Sequence, residues 1–313
     1  MPNTANYAES WQPELLEIMT QDTLCSPFIT DNVKWLDAKT FHFTSMSTSG
    51  FKNHSRNGGW NKGEFKQTDH PFTVEHDRDI QFLVDKADVD ETNATASIQN
   101  IARTFTQTQS APEKDALFFS KTAALAAKTD GYHSETAVGT YNKENVYGKL
   151  KGYLAAGKLR RYVAKGALIM YIRTEIMDLL EQSPDFTRTI EVQRVADGGE
   201  GVETRITSID GVPVMEVIDD EVFYDSFNWE AENGGFAPTS SSAHKINVLI
   251  ASPLTTKVVP KISSIYFFNP GAHTEGDGYL YQERELSDVF TFPNGKDGKV
   301  DSVYVDTDTA TAP

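Results

Sequence analysis

The stretch that decides the fold begins Gly50-Phe-Lys-Asn-His-Ser-Arg-Asn-Gly-Gly-Trp-Asn-Lys-Gly-Glu-Phe-Lys-Gln-Thr-Asp69 and ends at Phe105. Its first part is a polar, glycine-rich segment in which a single glutamate faces four cations before Asp69: Lys52, Arg56, Lys62 and Lys66. The run Pro71–Val84 follows and predicts a strand. A basic arm that leads into a strand is what a subunit needs if it must lie across a neighbour.

A helix with one apolar stripe follows this strand. Four apolar residues recur at positions i, i+3, i+4 and i+7: Ile98, Ile101, Ala102 and Phe105. On a helix with 3.6 residues per turn this spacing places all four side chains on one face. We therefore expect this face of the helix to pack against the body of the protein.

The composition describes an ordinary globular protein with a strongly acidic balance. The chain has 313 residues, of which 39% are hydrophobic and 24% are charged, and its formal net charge is −16. This charge argues against tight binding of nucleic acid through a general electrostatic field. The basic segment near 52–66 contrasts with the rest, so the acidic surface of another copy is a natural partner, although a simply solvated loop remains an alternative.

The sequence favours a soluble protein made in the cytoplasm. Cys25 is the only cysteine, so no disulfide forms within the chain. The N-terminus lacks the basic flank and the apolar run of a signal peptide. The longest apolar run, Ala167–Ile172, is too short to cross a bilayer, so we expect no membrane partner.

Helices and strands follow one another irregularly along the remaining sequence. Ser110-Ala-Pro-Glu113 combines a capping box with a proline in the first turn and predicts the start of a second helix. A third helix is predicted over residues 142–162, and a strand hairpin is predicted at Asp210-Gly211. Residues 306–313 are polar and predict a tail. This irregular order indicates the α+β class.

Motifs that carry chemistry are weak in this sequence. The run Gly152–Lys158 has the spacing of a phosphate-binding loop, but the next residue, Leu159, lacks the required hydroxyl group. His70 and His76 lie too far apart on a strand to bind one metal ion. The acidic corner 85–91 lacks the glycine and the last glutamate of a calcium loop. We predict no catalytic residue, no metal site and no cofactor, while a pair of catalytic carboxylates, and hence an acidic hydrolase, stays open.

The order of several short motifs resembles the major capsid proteins of tailed bacteriophages, most closely those of long-tailed phages of Gram-positive bacteria. The motifs are Asp77-Arg78, Phe82-Leu-Val-Asp85, Asp88-x-Asp90-Glu91-Thr92, Ile101-Ala-x-x-Phe105, Pro112-x-x-Asp115, Ala167-Leu-Ile-Met-Tyr-Ile, Ile209-Asp-Gly-Val-Pro-Val214 and Ile246-Asn-Val-Leu-Ile-Ala-Ser-Pro253. The resemblance covers nearly the whole chain.

The resemblance implies the tailed-phage coat fold, with its domains in a set order. An N-terminal arm would span 1–47, and an extended β-hairpin loop would span 48–84 with its tip near 57–59. The peripheral domain, with a long spine helix at about 91–109, would comprise 85–131 and 255–306. The axial domain would span 132–254, before the polar tail at 307–313.

The same resemblance implies a structural role and no enzymatic activity. Copies would form hexamers and pentamers of an icosahedral head, in the virion, around double-stranded DNA that is contacted non-specifically. Scaffolding protein, portal and, in some phages, cement proteins would be partners. Some members of the family carry a long N-terminal scaffolding segment, and this sequence leaves open whether such a segment has been removed or a separate protein does that work. The residues expected at intersubunit contacts are Lys52, Arg56, Trp60, Lys62, Phe65, Lys66 and Phe72.

Several alternatives remain at this point. A nanocompartment shell of the same fold would enclose an enzyme instead of DNA. Tail or adhesion proteins should show repeats, and the sequence has none at a fixed period. For Trp60 and Phe65, the alternative to an intersubunit contact is that their side chains fold back onto their own loop.

Overall fold

The computed structural model describes residues 23–30, 39–54, 58, 60–91, 98–184, 192–194, 201–203, 208–231, 234–294 and 299–312. Its α-helices are α1 (Lys86–Glu91), α2 (Ile98–Phe105), α3 (Ala111–Ala127), α4 (Val146–Leu154), α5 (Arg160–Val163) and α6 (Thr174–Glu181). Its strands are β1 (Thr40–Thr48), β2 (Phe65–Thr73), β3 (His76–Asp85), β4 (His133–Glu135), β5 (Ile169–Arg173), β6 (Val192–Arg194), β7 (Gly201–Glu203), β8 (Ser208–Ile209), β9 (Val212–Val217), β10 (Phe227–Asn228), β11 (Ala237–Pro238), β12 (His244–Ala251), β13 (Thr256–Phe268), β14 (Gly278–Thr291) and β15 (Val303–Thr311). The predicted α+β class is confirmed.

A six-stranded mixed sheet has the strand order β4-β15-β12-β5-β9-β8. Strand β12 is antiparallel to both β15 and β5, whereas β5 runs parallel to β9. Alternate side chains of the central strands enter two different cores: Tyr171 and Leu249 pack with α3, and Met170 and Val248 pack with α4 and α6. Helices therefore cover both faces of this sheet, which explains the continuous apolar runs of its central strands.

A second sheet is three-stranded and antiparallel, in the order β13-β14-β3. Strand β3 pairs with β14 along its whole length, from His76 opposite Ser287 to Asp85 opposite Gly278. The resemblance places these residues at the end of the extended loop 48–84. Because the ladder to β14 is complete, β3 belongs to this sheet instead, and the free hairpin ends before it.

One long helix crosses this second sheet, where the sequence predicts two helices. Residues 98–127 are helical throughout, with a π-helical turn over Thr106–Ser110 between α2 and α3. The expected helix start at Ser110 is wrong, because this residue has helical backbone angles and its side chain caps nothing. The wider π-turn directly precedes Pro112, whose ring and missing N–H would disturb a regular α-helix at that point. The spine helix therefore extends well beyond the predicted 91–109.

The predicted third helix over 142–162 is also wrong in its extent, because it is broken into α4 and α5. Gly157, between them, has a φ of +50°, a conformation that favours glycine. A Cβ atom at this position would lie 2.4 Å from the ring of Tyr132. The close approach of Tyr132, whose hydroxyl accepts a 3.0 Å hydrogen bond from the Lys158 N–H, fixes the break.

The predicted polar tail over 307–313 is a strand instead, since β15 continues to Thr311 inside the six-stranded sheet. Its first residues, 303–306, which the sequence assigns to the peripheral segment 255–306, pair with β12 in this sheet. Asp306 is fully buried and accepts hydrogen bonds from Thr136 and Tyr141, both at 2.7 Å, and from Asn247 at 2.9 Å. These donors, which lie far away in sequence, allow an acidic strand to enter a core.

The N-terminal segment 23–30 packs into the body of its own chain. The carboxylate of Asp115 on α3 accepts 2.9 Å hydrogen bonds from the backbone N–H groups of Leu24 and Cys25. The Tyr171 hydroxyl donates to the Leu24 carbonyl at 2.8 Å, and the Phe28 ring lies 4.5 Å from that of Phe118. Part of the predicted arm 1–47 therefore belongs to the hydrophobic core.

Candidate intersubunit surface

Strands β1 and β2 form an antiparallel hairpin of nine residue pairs, from Thr40 opposite Thr73 to Thr48 opposite Phe65. We refer to residues 40–73 as the hairpin. It begins within the predicted arm and ends before β3. A two-stranded ribbon of this kind has little stability of its own, so its conformation depends on what its two ends contact.

The base of the hairpin is fixed to the body by aromatic packing. The Phe41 ring lies 5.1 Å from that of Phe290, and the Phe72 ring lies 5.3 Å from Phe290 and 5.4 Å from Phe292. Phe41 is buried together with Val74 on this side of the second sheet. Phe72, which the sequence predicts to contact a neighbour, is half-buried here against Phe290 and Phe292 of its own chain.

The distal end of the hairpin exposes large apolar side chains. Trp60 is 96% exposed and Phe65 is 74% exposed, so neither folds back onto its own loop. Phe51 is also fully exposed, and Met46 is 67% exposed. The register places Met46 and Phe65 diagonally on one face of the ribbon, because they lie opposite Gln67 and Thr48. An apolar surface of this kind is typical of a contact site.

The distal end is also basic and holds its shape through its own hydrogen bonds. Lys52, Lys62 and Lys66 are all exposed, and the Lys52 ammonium donates to the Lys62 carbonyl at 3.2 Å. The Ser49 N–H donates to the Glu64 carbonyl at 2.8 Å, which extends the pairing of the two strands by one step beyond Thr48 and Phe65. Arg56, the fourth predicted cation, lies outside the described residues.

The four stripe residues of the spine helix lie over the end of the second sheet that contains Val84 and Tyr281. Ile98 is buried in a cluster with Val84 and Tyr281, and Ile101 and Ala102 pack beside it, half-buried. Phe105 contacts Phe82 edge to face, with 5.4 Å between ring centroids.

The spine helix is joined to β3 and to the 227–238 loop through a charged cluster. The Glu113 carboxylate accepts from the Arg78 guanidinium at 2.8 Å and from the His76 imidazole at 3.1 Å. Arg78 also donates to the carbonyl oxygens of Trp229 and Gly235. Burial alone would raise the pKa of Glu113, but the hydrogen bond from His76 and the charge of Arg78 outweigh it and hold that pKa below its usual value.

The structure also bears on metal binding, membrane insertion and cysteine chemistry in the described parts of the chain. No group of three or more histidine, cysteine or carboxylate side chains there is arranged to hold a metal ion. No described helix is long and apolar enough to cross a membrane. Cys25 is buried. This burial and, to a smaller extent, the charge of the nearby Asp115 raise the pKa of its thiol far above the usual value, so the thiol is a poor nucleophile.

Sequence reasoning missed Met46. Its signal was the alternation of Thr44, Met46 and Thr48 on a strand, which places an unbranched apolar side chain on an otherwise polar face. The sequence assigned Thr44 and Met46 to the arm 1–47 and only Thr48 to the extended loop, so it predicted no strand across these residues.

Solved structures of bacteriophage capsids share this architecture. A chain from the mature capsid of bacteriophage PhiM1 aligns with a TM-score of 0.66 at 12% identity, over 97% of this chain and 92% of that chain. A chain from the capsid of cyanophage P-SCSP1u aligns with a TM-score of 0.60 at 11% identity, over 97% and 93% of the two chains. The chain has the tailed-phage coat fold.

A chain from Mycobacterium phage Cain also aligns, with a TM-score of 0.55 and 18% identity over 97% of this chain and 96% of that chain. No protein-family model matches the sequence, and no curated protein matches it. At these identities the coat fold is shared while most side chains differ, so the contacts of the hairpin have to be argued from this chain's own residues.

Proposed function

We propose that this protein is the major capsid protein of a tailed bacteriophage, with the distal end of the hairpin as a main contact between copies. The observation that carries this proposal is the exposure of the hairpin end, where Met46, Phe51, Trp60 and Phe65 are each at least 67% exposed within the described chain. The coat fold supports it, because a hairpin that packs on the body at its base is suited to lie across a second subunit with its distal end.

The apolar residues at the hairpin end can supply most of the contact energy. Burial of one large apolar side chain contributes about 1.5–3 kcal/mol. Four such side chains would contribute roughly 6–12 kcal/mol per contact before the costs of association and ordering are subtracted. A shell repeats this contact for every subunit, so a modest net gain at each site suffices for assembly.

The three exposed lysines of the hairpin end would give this contact its selectivity. Subunits with a net charge of −16 repel one another at long range. Lys52, Lys62 and Lys66 bring a local positive charge to the acidic surface of the next copy and would favour docking in one orientation. Their contribution would weaken as salt increases.

The wider assignments follow from the same proposal. The hairpin is the extended loop, the second sheet with the spine helix is the peripheral domain, and the six-stranded sheet belongs mainly to the axial domain. The subunits would form hexamers and pentamers in the virion, with scaffolding, portal and cement proteins as partners and double-stranded DNA inside. A nanocompartment shell would differ by enclosing a cargo enzyme and by protecting no DNA from nuclease.

The test is the double substitution Trp60→Ser/Phe65→Ser, with particles counted by sedimentation velocity and negative-stain electron microscopy. We expect folded subunits that no longer form closed shells, because the largest apolar groups of the contact are gone. The matched control is Ile218→Ser/Leu254→Ser, which removes two similarly exposed side chains outside the hairpin and should leave assembly unchanged. Normal shells from the hairpin variant would contradict the proposal.

A further inference from the structure

Several cations in the described body of the protein are engaged in ion pairs. Eight of them lie within 4.0 Å of a carboxylate oxygen: Lys39, Arg78, Lys114, Lys121, Lys151, Arg173, Lys245 and Arg284. An acidic chain offers many carboxylates for such pairs. A group of cations that lie together without such a partner is therefore informative.

Six exposed cations form a region that we call the basic patch: Lys128, Lys158, Arg160, Arg161, Lys165 and Lys299. Within the described residues, none of the six has a carboxylate within ion-pair distance. The patch thus keeps its positive charge in a protein whose net charge is −16.

The fold brings these cations together from three parts of the chain. Lys128 ends the spine helix, and together with Lys158 and Lys299 it lines a concavity of about 490 Å³. Two carboxylates also line it, Asp130 and Asp301; the second is buried and accepts a 2.6 Å hydrogen bond from the Tyr162 hydroxyl. That bond holds α5 against the segment that follows Lys299.

Helix α5 turns its cations outward beside this concavity. Leu159 and Tyr162 are buried, so the residues around them on the helix are held in place from below. Lys158 and Lys165 lie in the turns on either side of α5, so they flank its two arginines on a short stretch of chain. The cations of this stretch therefore lie on a part of the chain that the buried Leu159 and Tyr162 hold in place.

The chemistry of the patch distinguishes between its two conceivable kinds of partner. Protein interfaces have an apolar centre with aromatic residues. Among the described residues, none of the strongly exposed large apolar side chains lies in the basic patch, whereas four lie at the hairpin end. Binding to a phosphate backbone requires only cations and carries no need for apolar contact.

We propose that the basic patch binds the phosphate backbone of double-stranded DNA without sequence preference. This inference rests on the proposed capsid function, and it identifies which surface of the subunit faces the packaged DNA. The rest of the acidic chain repels DNA, so the contact is confined to this patch, weak and strongly dependent on salt. Such a contact holds the outer DNA layer in place and still allows it to leave.

The test measures DNA binding by unassembled subunits, using fluorescence anisotropy of a labelled duplex of random sequence. The variant is Lys158→Glu/Lys165→Glu, and the matched control is Lys86→Glu/Lys143→Glu, which reverses two other exposed lysines that have no ion-pair partner among the described residues. Both variants change the net charge equally, so a difference between them reports the location of the charge.

For contact with about four phosphates, wild-type affinity should fall about 100-fold between about 50 and 200 mM salt. The patch variant should lose at least about tenfold in affinity at low salt, and its slope against the logarithm of salt should be smaller by about two. The control should keep the wild-type slope.

Three results would overturn the inference: no DNA binding by the wild type, equal losses in both variants, or a patch variant that binds DNA normally but fails to assemble, which would make the patch a protein contact. Shell formation by electron microscopy is measured separately. A failure of the DNA inference is therefore distinguishable from a failure of the capsid proposal.

Discussion

Substitution of Asp115 tests whether the segment 23–30 is a fixed part of the core. The side chain is buried and accepts two 2.9 Å hydrogen bonds, from the backbone N–H groups of Leu24 and Cys25. Asp115→Leu leaves both N–H groups without a partner, and each buried unpaired group costs about 1–3 kcal/mol. The expected loss of unfolding free energy is therefore about 2–6 kcal/mol, and Asp115→Asn, which keeps one acceptor, should lose about half of that.

The loss should depend on pH in a stated direction. Burial raises the pKa of Asp115, and the hydrogen bonds from Leu24 and Cys25 oppose this only in part. Because the pKa is higher in the folded protein than in the unfolded chain, the stability that this group contributes is greatest at acidic pH and declines as pH rises through the folded pKa. The stability difference between wild type and Asp115→Asn should therefore increase as the solution is acidified.

The assay is urea unfolding of unassembled subunits at several pH values, together with hydrogen exchange of the Leu24 and Cys25 amides. Ala124→Asn, on the exposed side of the same helix, controls for the helix propensity of asparagine. If Asp115→Leu is no less stable than this control, or if the two amides exchange equally slowly in it, the segment is not held by this carboxylate and the reasoning fails.

Two further predictions concern the joints of the fold. Gly157→Ala should lower the free energy of thermal unfolding by about 1–3 kcal/mol, since the new Cβ atom meets Tyr132 and the backbone has a positive φ. Gly148→Ala, in open space on α4, should leave this free energy unchanged or raise it, and equal effects of the two substitutions would contradict the prediction. Glu113→Gln should cost about 1–3 kcal/mol in urea unfolding at neutral pH, because it weakens the pairing with Arg78. Since the pKa of Glu113 is held low, this loss should disappear as pH falls through the carboxyl's titration range, and an equal loss at acidic pH would refute it.

Local patterns in the sequence predicted those elements whose geometry is decided locally. Asp210 and Gly211 have φ values of 49° and 77°, as a tight hairpin requires, and they connect β8 to β9 as expected. The period of the stripe that begins at Ile98 predicted a helix there for the same reason. The exposed end of the hairpin was visible as apolar residues among glycines and lysines, since such residues have few partners nearby in sequence.

Elements whose partners lie far away in sequence were not predictable in the same way. Ser110 and Pro112 form a good helix start in isolation, but packing of the helix on both sides of them maintains one continuous helix with a π-turn. Asp306 reads as part of a polar tail, because the donors that satisfy it, Thr136, Tyr141 and Asn247, precede it by at least 59 residues. The basic patch was missed for the same reason, because only the fold brings Lys299 beside Lys158.

The hairpin end and the basic patch differ in the chemistry of the side chains that they expose. Inside the subunit, buried charges are paired at the joints, as Glu113 is with Arg78 and Asp288 with Lys121. The hairpin end combines exposed apolar side chains with lysines, which suits a second acidic protein surface. The basic patch has cations without apolar neighbours, which suits a phosphate backbone. Because the two surfaces differ in this way, salt should release DNA from the patch before it separates the subunits, whose contacts rest mainly on apolar burial.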